Sequence, residues 1–176
     1  MVDLEEVFIE HAGLLEMTFD GMLKMHPGMA FQPMFVVLTE DDGMQLVDIG
    51  FSEDGNMPQH VFNMAVVVRG YLMTQHIDVS AILFAVDTYT WNGDTEEDCP
   101  PVGMDELGKL FRQGHPKVRE ALYVVCCDKE RSLDCFLPYR RHDDYVTWDE
   151  PFRPTMTMNG CNLALESAFR ENVDAW

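Results

Sequence analysis

Thiol and imidazole side chains lie close together in the second half of the chain. The thiols are Cys126, Cys127 and Cys135, and His115 and His142 flank them in sequence. A thiol becomes a nucleophile when a neighbouring base draws off its proton. Nothing in this spacing selects one pair, so a small hydrolase or metal-dependent enzyme of unfamiliar type is the weakest of three interpretations. Its first suspects are His115, His142, Asp143 and Asp144.

The sequence predicts neither a metal site nor a cofactor. Tetrahedral zinc uses locally paired ligands, whereas Cys126 and Cys127 are adjacent and would face opposite sides of a strand. Carboxylate runs at 40–42, 94–98 and 143–144 lack the spacing of a calcium loop. Glycine-rich phosphate loops and the HExxH and GxSxG motifs are also missing. The common nucleotide, metalloprotease and serine hydrolase chemistries are therefore disfavoured.

Cysteine usage and the apolar pattern bear on location. The five cysteines are odd in number and include no CxxC pair, so we expect reduced thiols that pack as small apolar groups. The acidic segment 1–6 does not resemble a secretory signal, and no apolar run approaches the about 20 residues that span a bilayer. We expect a cytoplasmic protein, or part of an assembly built inside a cell, without membrane contact.

Charge is distributed unevenly along the chain. The formal net charge is −19, and residues 1–111 contain 20 acidic and 3 basic residues. Residues 112–176 are nearly balanced, with 11 acidic and 9 basic residues. A field of this sign repels phosphate groups, so direct nucleic-acid binding is disfavoured.

The leading interpretation is a non-enzymatic domain that docks its acidic surface on a basic partner protein. An assembly component, an adaptor, an inhibitor or a virus-encoded accessory protein would have this character. The alternative is a nucleic-acid mimic, which needs carboxylates in a regular row, because duplex DNA carries one charge per about 1.7 Å. The candidate contact carboxylates are Glu6, Glu10, Glu16, Asp20, Glu40, Asp41, Asp42, Asp94, Glu96, Glu97 and Asp98.

A second candidate contact lies near the C-terminal end. Arginine and aromatic side chains together are typical of interface anchors, and this pattern indicates either a second protein contact or a self-association surface in a homo-oligomer. The residues concerned are Arg140, Arg141, Trp148 and Phe152.

Periodicity predicts the elements that position these residues. Apolar residues at helical spacing predict helices over 3–25, 58–75, 104–112 and 159–172. Alternation or apolar runs predict strands over 34–39, 44–51, 79–89, 121–127 and 133–137, with 145–148 as a short extra strand. In the second helix, Val61, Ala65, Val68 and Leu72 are expected to face the core.

We therefore expect a single α+β domain over 1–176, with helices packed on a central, mostly antiparallel five-stranded sheet. The order is α-β-β-α-β-(insert)-β-β-α. The acidic, proline-containing insert covers 91–116 and includes a short helix, and 140–158 forms an extended loop before the last helix. This element order resembles small scaffolds of the profilin or roadblock type, without any shared motif.

Overall fold

A computed structural model describes residues 4–41, 43–50, 56–91, 104–153 and 161–170. The helices are α1 (Leu4–Met25), α2 (Met57–Thr74), α3 (Met104–Arg112) and α4 (Cys161–Arg170). The strands are β1 (Met34–Thr39), β2 (Met44–Asp48), β3 (Val79–Trp91), β4 (Val118–Cys127), β5 (Ser132–Arg141) and β6 (Val146–Trp148). None of the described helices is both long enough and apolar enough to cross a bilayer.

The six strands form one antiparallel sheet in the order β2-β1-β3-β4-β5-β6. Both β2 and β3 pair with β1 in antiparallel fashion, so β2 and β3 run parallel to each other. A parallel relation needs a crossover connection, and α2 supplies it. The central strands β3 and β4 are mostly buried on both faces, as their apolar runs predict.

Helix α1 covers one face of the sheet. Leu15, Phe19 and Leu23 recur at helical spacing and are buried against it. Their partners are alternate apolar residues of the strands: Val36, Leu38, Ala81, Leu83, Ala85, Leu122, Val124 and Leu137. At the end of this face that α1 leaves open, α3 lies over Tyr89, whose ring centroid is 5.2 Å from that of Phe111.

Helices α2 and α4 cover the opposite face. The four residues predicted to face the core from α2 are all buried, as is Leu165 of α4. Asn56 caps the start of α2 by accepting a 3.2 Å hydrogen bond from the Gln59 amide, and Pro58 occupies the first turn. The sheet is therefore enclosed between two helical layers, and the outward faces of α1 and α2 point in opposite directions.

Among the described residues the sheet has six strands, so the expected count of five is wrong. Strand β6 is a member of the sheet because it pairs Val146 with Arg141 and Trp148 with Tyr139. Residues 140–141 and 146–148 of the segment 140–158 therefore belong to the sheet, and Phe152 adds an isolated bridge to Phe136. The α+β class and the antiparallel sheet are confirmed, whereas a profilin or roadblock arrangement is not.

Candidate functional site

The outward face of α1 combines carboxylates with large apolar side chains. Glu6 and Glu10 are exposed and make no ion pair within the part of the chain that the structure describes. Between them, Ile9 is 73% exposed, and Met17 two turns later is also 73% exposed. Exposed apolar side chains that share one helix face with unpaired carboxylates are what a protein contact would use.

Glycine alternates with these apolar residues along one ridge of α1. Residues 9, 13, 17, 21 and 25 are Ile, Gly, Met, Gly and Met, and i, i+4 spacing places them in one continuous row. A Cβ atom added at Gly13 or Gly21 would meet nothing within 4 Å. The fold itself therefore does not require these glycines, although each lowers helix stability by about 1 kcal/mol relative to alanine.

The row of carboxylates does not continue along α1 as a free surface. Glu16 is half-buried, and desolvation, with a smaller contribution from Asp20, raises its pKa. Asp20 accepts a 3.3 Å hydrogen bond from the backbone amide of Val146 and so ties α1 to β6. The first two turns of α1 therefore provide its open carboxylates, and the later ones contribute to packing.

The remaining predicted carboxylates are paired locally or lie outside the described residues. Glu40 forms an exposed ion pair of 3.4 Å with Lys129. Asp41 accepts a hydrogen bond from the Thr39 hydroxyl, and this bond is the main cause of the lowered pKa of Asp41. The carboxylates of Asp42, Asp94, Glu96, Glu97 and Asp98 lie outside the described residues.

Arg140 and Arg141 face opposite sides of β5, because successive residues of a strand alternate. Arg140 is exposed and lies 3.7 Å from Asp149. Arg141 turns inward, where its Nη2 atom lies 3.4 Å from both Asp87 and Glu120. The two arginines therefore do not form one basic patch.

Asp87, Glu120, Tyr139 and Arg141 form a polar cluster at the end of the sheet. Tyr139 donates a 2.6 Å hydrogen bond to Asp87 Oδ1, and Arg141 Nη2 donates to the Tyr139 hydroxyl oxygen at 3.0 Å. Desolvation raises the pKa of Asp87 despite the opposing effects of Tyr139 and Arg141. It also raises the pKa of Glu120.

The turn after α1 closes this polar cluster. Gly28 has φ +83°, a value that glycine adopts without strain, and it directs the chain back toward the sheet. The carbonyl of Met29 then accepts from Arg141 Nη1 at 2.7 Å, and the amide of Phe31 donates to Asp87 at 3.3 Å. A cleft of about 340 Å³ remains beside Asp87 and Glu120. The groups of the cluster largely satisfy one another's hydrogen-bonding and charge requirements. The cluster therefore joins the turn after α1 to the strands β3, β4 and β5.

Trp148 and Phe152 differ in how far they are available to a partner. The Trp148 ring is half-buried, with its centroid 5.4 Å from that of Tyr139 and 6.0 Å from that of Phe19. Phe152 stacks on Phe136 at 5.4 Å and keeps 36% of its surface exposed. Trp148 therefore packs against the edge of the hydrophobic core under α1, while Phe152 and Arg140 remain on the surface.

The suspects for catalysis are not brought together with a reactive thiol. His142 stacks on Tyr145 and lies 2.8 Å from the Thr147 hydroxyl, while His115 stacks on Trp91. Asp143 and Asp144 are exposed.

The described thiols are those of Cys126, Cys127 and Cys135, and all three are buried. Desolvation raises the pKa of Cys126 to about 12 and that of Cys135 to about 11. These two thiols therefore stay protonated at neutral pH. Within the described ranges, no group of three histidine, cysteine, aspartate or glutamate residues is arranged to hold a metal ion.

No protein family, curated protein or solved structure matches this chain. The function therefore has to be inferred from the surfaces themselves.

Sequence reasoning missed two features. One is the polar cluster, for which the sequence signal is Asp87, a charged residue that continues the core-facing alternation of Leu83 and Ala85 on β3. The other is the outward face of α2, where Val67 and Tyr71 are 63% and 56% exposed. The sequence indicates this face through the apolar residues of α2 that remain once Val61, Ala65, Val68 and Leu72 are assigned to the core.

Proposed function

We propose that this protein is a non-enzymatic binding domain that recognises a basic partner protein through the outward face of α1. The observation that carries the proposal is the exposure of Ile9 and Met17 beside the unpaired carboxylates of Glu6 and Glu10. Charge steers the encounter between such a face and a basic surface, while apolar contacts hold the complex together.

The partner segment that suits this face is amphipathic. An apolar stripe on the partner would cover Ile9 and Met17, and lysine or arginine residues beside the stripe would meet Glu6 and Glu10. Gly13 and Gly21 leave hollows between the apolar side chains, which allow a partner helix to approach closely. An assembly component, an adaptor or an inhibitor, including a virus-encoded one, could act in this way in the cytoplasm.

Protein recognition is favoured over the two alternatives by the chemistry of the described residues. A nucleic-acid mimic would present a regular row of carboxylates, but large apolar residues interrupt the row on α1 and Asp20 is engaged in packing. A hydrolase would need an activated nucleophile, but burial keeps the Cys126 and Cys135 thiols protonated.

A synthetic peptide tests the proposal directly. The probe is an amphipathic helical peptide with leucines on one face and lysines beside them, and its matched control replaces each lysine with glutamate. We expect fluorescence anisotropy to detect binding of the lysine peptide alone. The affinity should fall at least tenfold between low and high salt, because salt screens the attraction.

Charge-reversal variants locate the binding surface. The double variant Glu6→Lys/Glu10→Lys should lose at least tenfold in affinity for the lysine peptide. The double variant Asp78→Lys/Glu130→Lys makes the same change of net charge at exposed positions in two connections outside α1, and it should bind within about twofold of wild type. Equal losses in both variants would mean that net charge alone attracts the peptide, and the proposal would then be rejected.

A further inference from the structure

The outward face of α2 is largely apolar and has no carboxylate. Its sequence, MPQHVFNMAVVVRGYLMT, contains no carboxylate, although the whole chain has 31 acidic residues. Val66, Val67, Tyr71 and Met73 are each between 44% and 63% exposed. Exposed apolar residues clustered on one helix in so acidic a protein indicate a surface that is covered by a protein contact.

A hollow lies beside these projecting side chains. It has a volume of about 310 Å³ and is lined from α2 by Phe62, Val66, Arg69, Gly70 and Met73 and from α4 by Ser167 and Ala168. Arg69 donates from Nη1 to the carbonyl of Ala168 at 2.9 Å. Its Nε atom is buried and has no hydrogen-bond partner among the described residues. The hollow therefore lies next to the exposed apolar side chains of Val66 and Met73.

We propose that two copies of this chain associate through α2, antiparallel and about a two-fold axis that passes near Gly70. A two-fold interface requires a surface that is its own complement. In an antiparallel pair the same flanks of the two helices meet, so the exposed apolar residues Val67 and Tyr71 of one copy would pack on the same residues of the other. The two hollows would adjoin on the other flank of Gly70, because residues two apart on a helix, such as Arg69 and Tyr71, point about 200° apart.

Gly70 is suited to the crossing point of such a pair. It is exposed, and a Cβ atom added there would meet nothing within 4 Å, so the monomer does not need glycine. A glycine at a helix crossing lets two backbones approach closely. Without a reason of this kind, glycine in the middle of α2 only lowers the stability of the helix, by about 1 kcal/mol.

Charge favours a second copy over another occupant. A basic partner would find no carboxylate on α2. The exposed carboxylates of Glu6 and Glu10 are on α1, on the other side of the sheet. Two copies that meet through α2 keep those anionic faces apart, which limits the repulsion between two molecules that each carry a formal charge of −19. This inference does not rest on the proposed function of α1.

Sedimentation equilibrium of the full chain tests the pairing. We expect wild type to pass from monomer to dimer with rising concentration in the micromolar range. Gly70→Leu should raise the dimer dissociation constant at least tenfold while leaving the monomer as stable as wild type or more so, because leucine is the better helix former. Tyr71→Glu should raise the constant at least tenfold.

The matched control is Met17→Glu, which places the same new charge on α1 at a residue that is 73% exposed, against 56% for Tyr71, and should leave the dissociation constant within about twofold. High salt should strengthen self-association, because it screens the repulsion between two anions, whereas it weakens the proposed binding of a basic peptide. A wild type that stays monomeric at hundreds of micromolar would overturn the inference. So would a dimer that survives both α2 variants, or one that only the α1 variant disrupts.

Discussion

The hydroxyl of Tyr139 on β5 reaches across β4 and donates a 2.6 Å hydrogen bond to Asp87 on β3. The bond therefore joins two strands that are not neighbours in the sheet. Tyr139 is buried, and the pKa of its hydroxyl is raised, first by desolvation and then by the negative charges of Asp87 and Glu120. The tyrosine thus remains a hydrogen-bond donor throughout the neutral range.

Removal of the Tyr139 hydroxyl should destabilise the fold. In Tyr139→Phe, the largely buried Asp87 carboxylate loses its shortest hydrogen bond, and we expect the free energy of unfolding to fall by about 1 to 3 kcal/mol. Urea denaturation measures the change. Tyr145→Phe removes a hydroxyl from an exposed ring and should change the free energy by less than about 0.5 kcal/mol. Equal effects in the two variants would show that the bond to Asp87 contributes nothing.

The polar cluster should make the protein more stable in mild acid than at neutral pH. Desolvation raises the pKa of Asp87 and Glu120 in the folded state above their ordinary values. Their contribution to stability is complete below the ordinary carboxyl pKa and is lost as the pH rises through the raised folded values. We therefore expect this contribution to the free energy of unfolding in urea to fall as the pH rises from the ordinary carboxyl range, about pH 4, toward neutrality.

Glu120→Gln isolates one part of this pH dependence. The amide stands in for the protonated carboxyl, so the variant should match wild type in mild acid and be at least as stable as wild type at neutral pH. The exposed substitution Glu130→Gln serves as the control and should keep the wild-type pH profile. If Glu120→Gln left the pH dependence of the free energy of unfolding unchanged, that dependence would have to come from other titrating groups.

The buried thiols should resist alkylation. At neutral pH only a thiolate reacts readily, and burial raises the pKa of Cys126 to about 12 and of Cys135 to about 11. Iodoacetamide labelling followed by peptide mass spectrometry should leave both unmodified in native buffer and label both in urea. Rapid labelling of Cys135 in native buffer would instead revive a thiol-based activity.

Two glycine substitutions should have opposite effects on stability. Gly13→Ala places a methyl group in open space on α1 and should raise the free energy of unfolding by about 1 kcal/mol. Gly108→Ala would bring its Cβ to 3.1 Å from Tyr89, a ring already held by Phe111, and should leave stability at or below that of wild type. Thermal unfolding compares the two variants. Equal gains in stability would mean that the Tyr89 ring moves aside without cost.

Periodicity predicted most elements because their core residues recur regularly along the sequence. The expected boundaries of α1, β1, α2 and α3 agree with the structure to within one residue, and only local spacing was needed for them. The exposed positions Glu6 and Glu10 also follow from the inward stripe of α1. Neither result depends on how distant segments pair.

The far end of β5 was missed because Pro138 is an unusual residue inside a sheet. Phe136 exchanges hydrogen bonds with Phe152, so Pro138, two residues on, turns its nitrogen to the same side of β5. The proline nitrogen, which cannot donate a hydrogen bond, therefore lies between β6 and the bridge to Phe152, where no backbone amide is needed to pair the strands. Pairing between segments distant in sequence therefore decides that the strand continues to Arg141.

The polar cluster could not be predicted for a similar reason. Asp87, Glu120 and Arg141 come from three strands, and only the order β3-β4-β5 brings them together. The inward turn of Arg141 also depends on the carbonyl of Met29, which is more than 100 residues away in sequence. Composition indicated a basic pair at 140 and 141 but held no information on their opposite orientations.

The enclosure of the sheet between two helical layers has a consequence for valency. Because α1 and α2 look outward from opposite sides, a pair joined back to back through α2 would present two α1 faces at its far ends. Such a pair could bridge two partner molecules, or grip a repetitive target at two points with an avidity well above that of one site. A monomeric variant such as Tyr71→Glu would keep the single-site affinity and lose that gain.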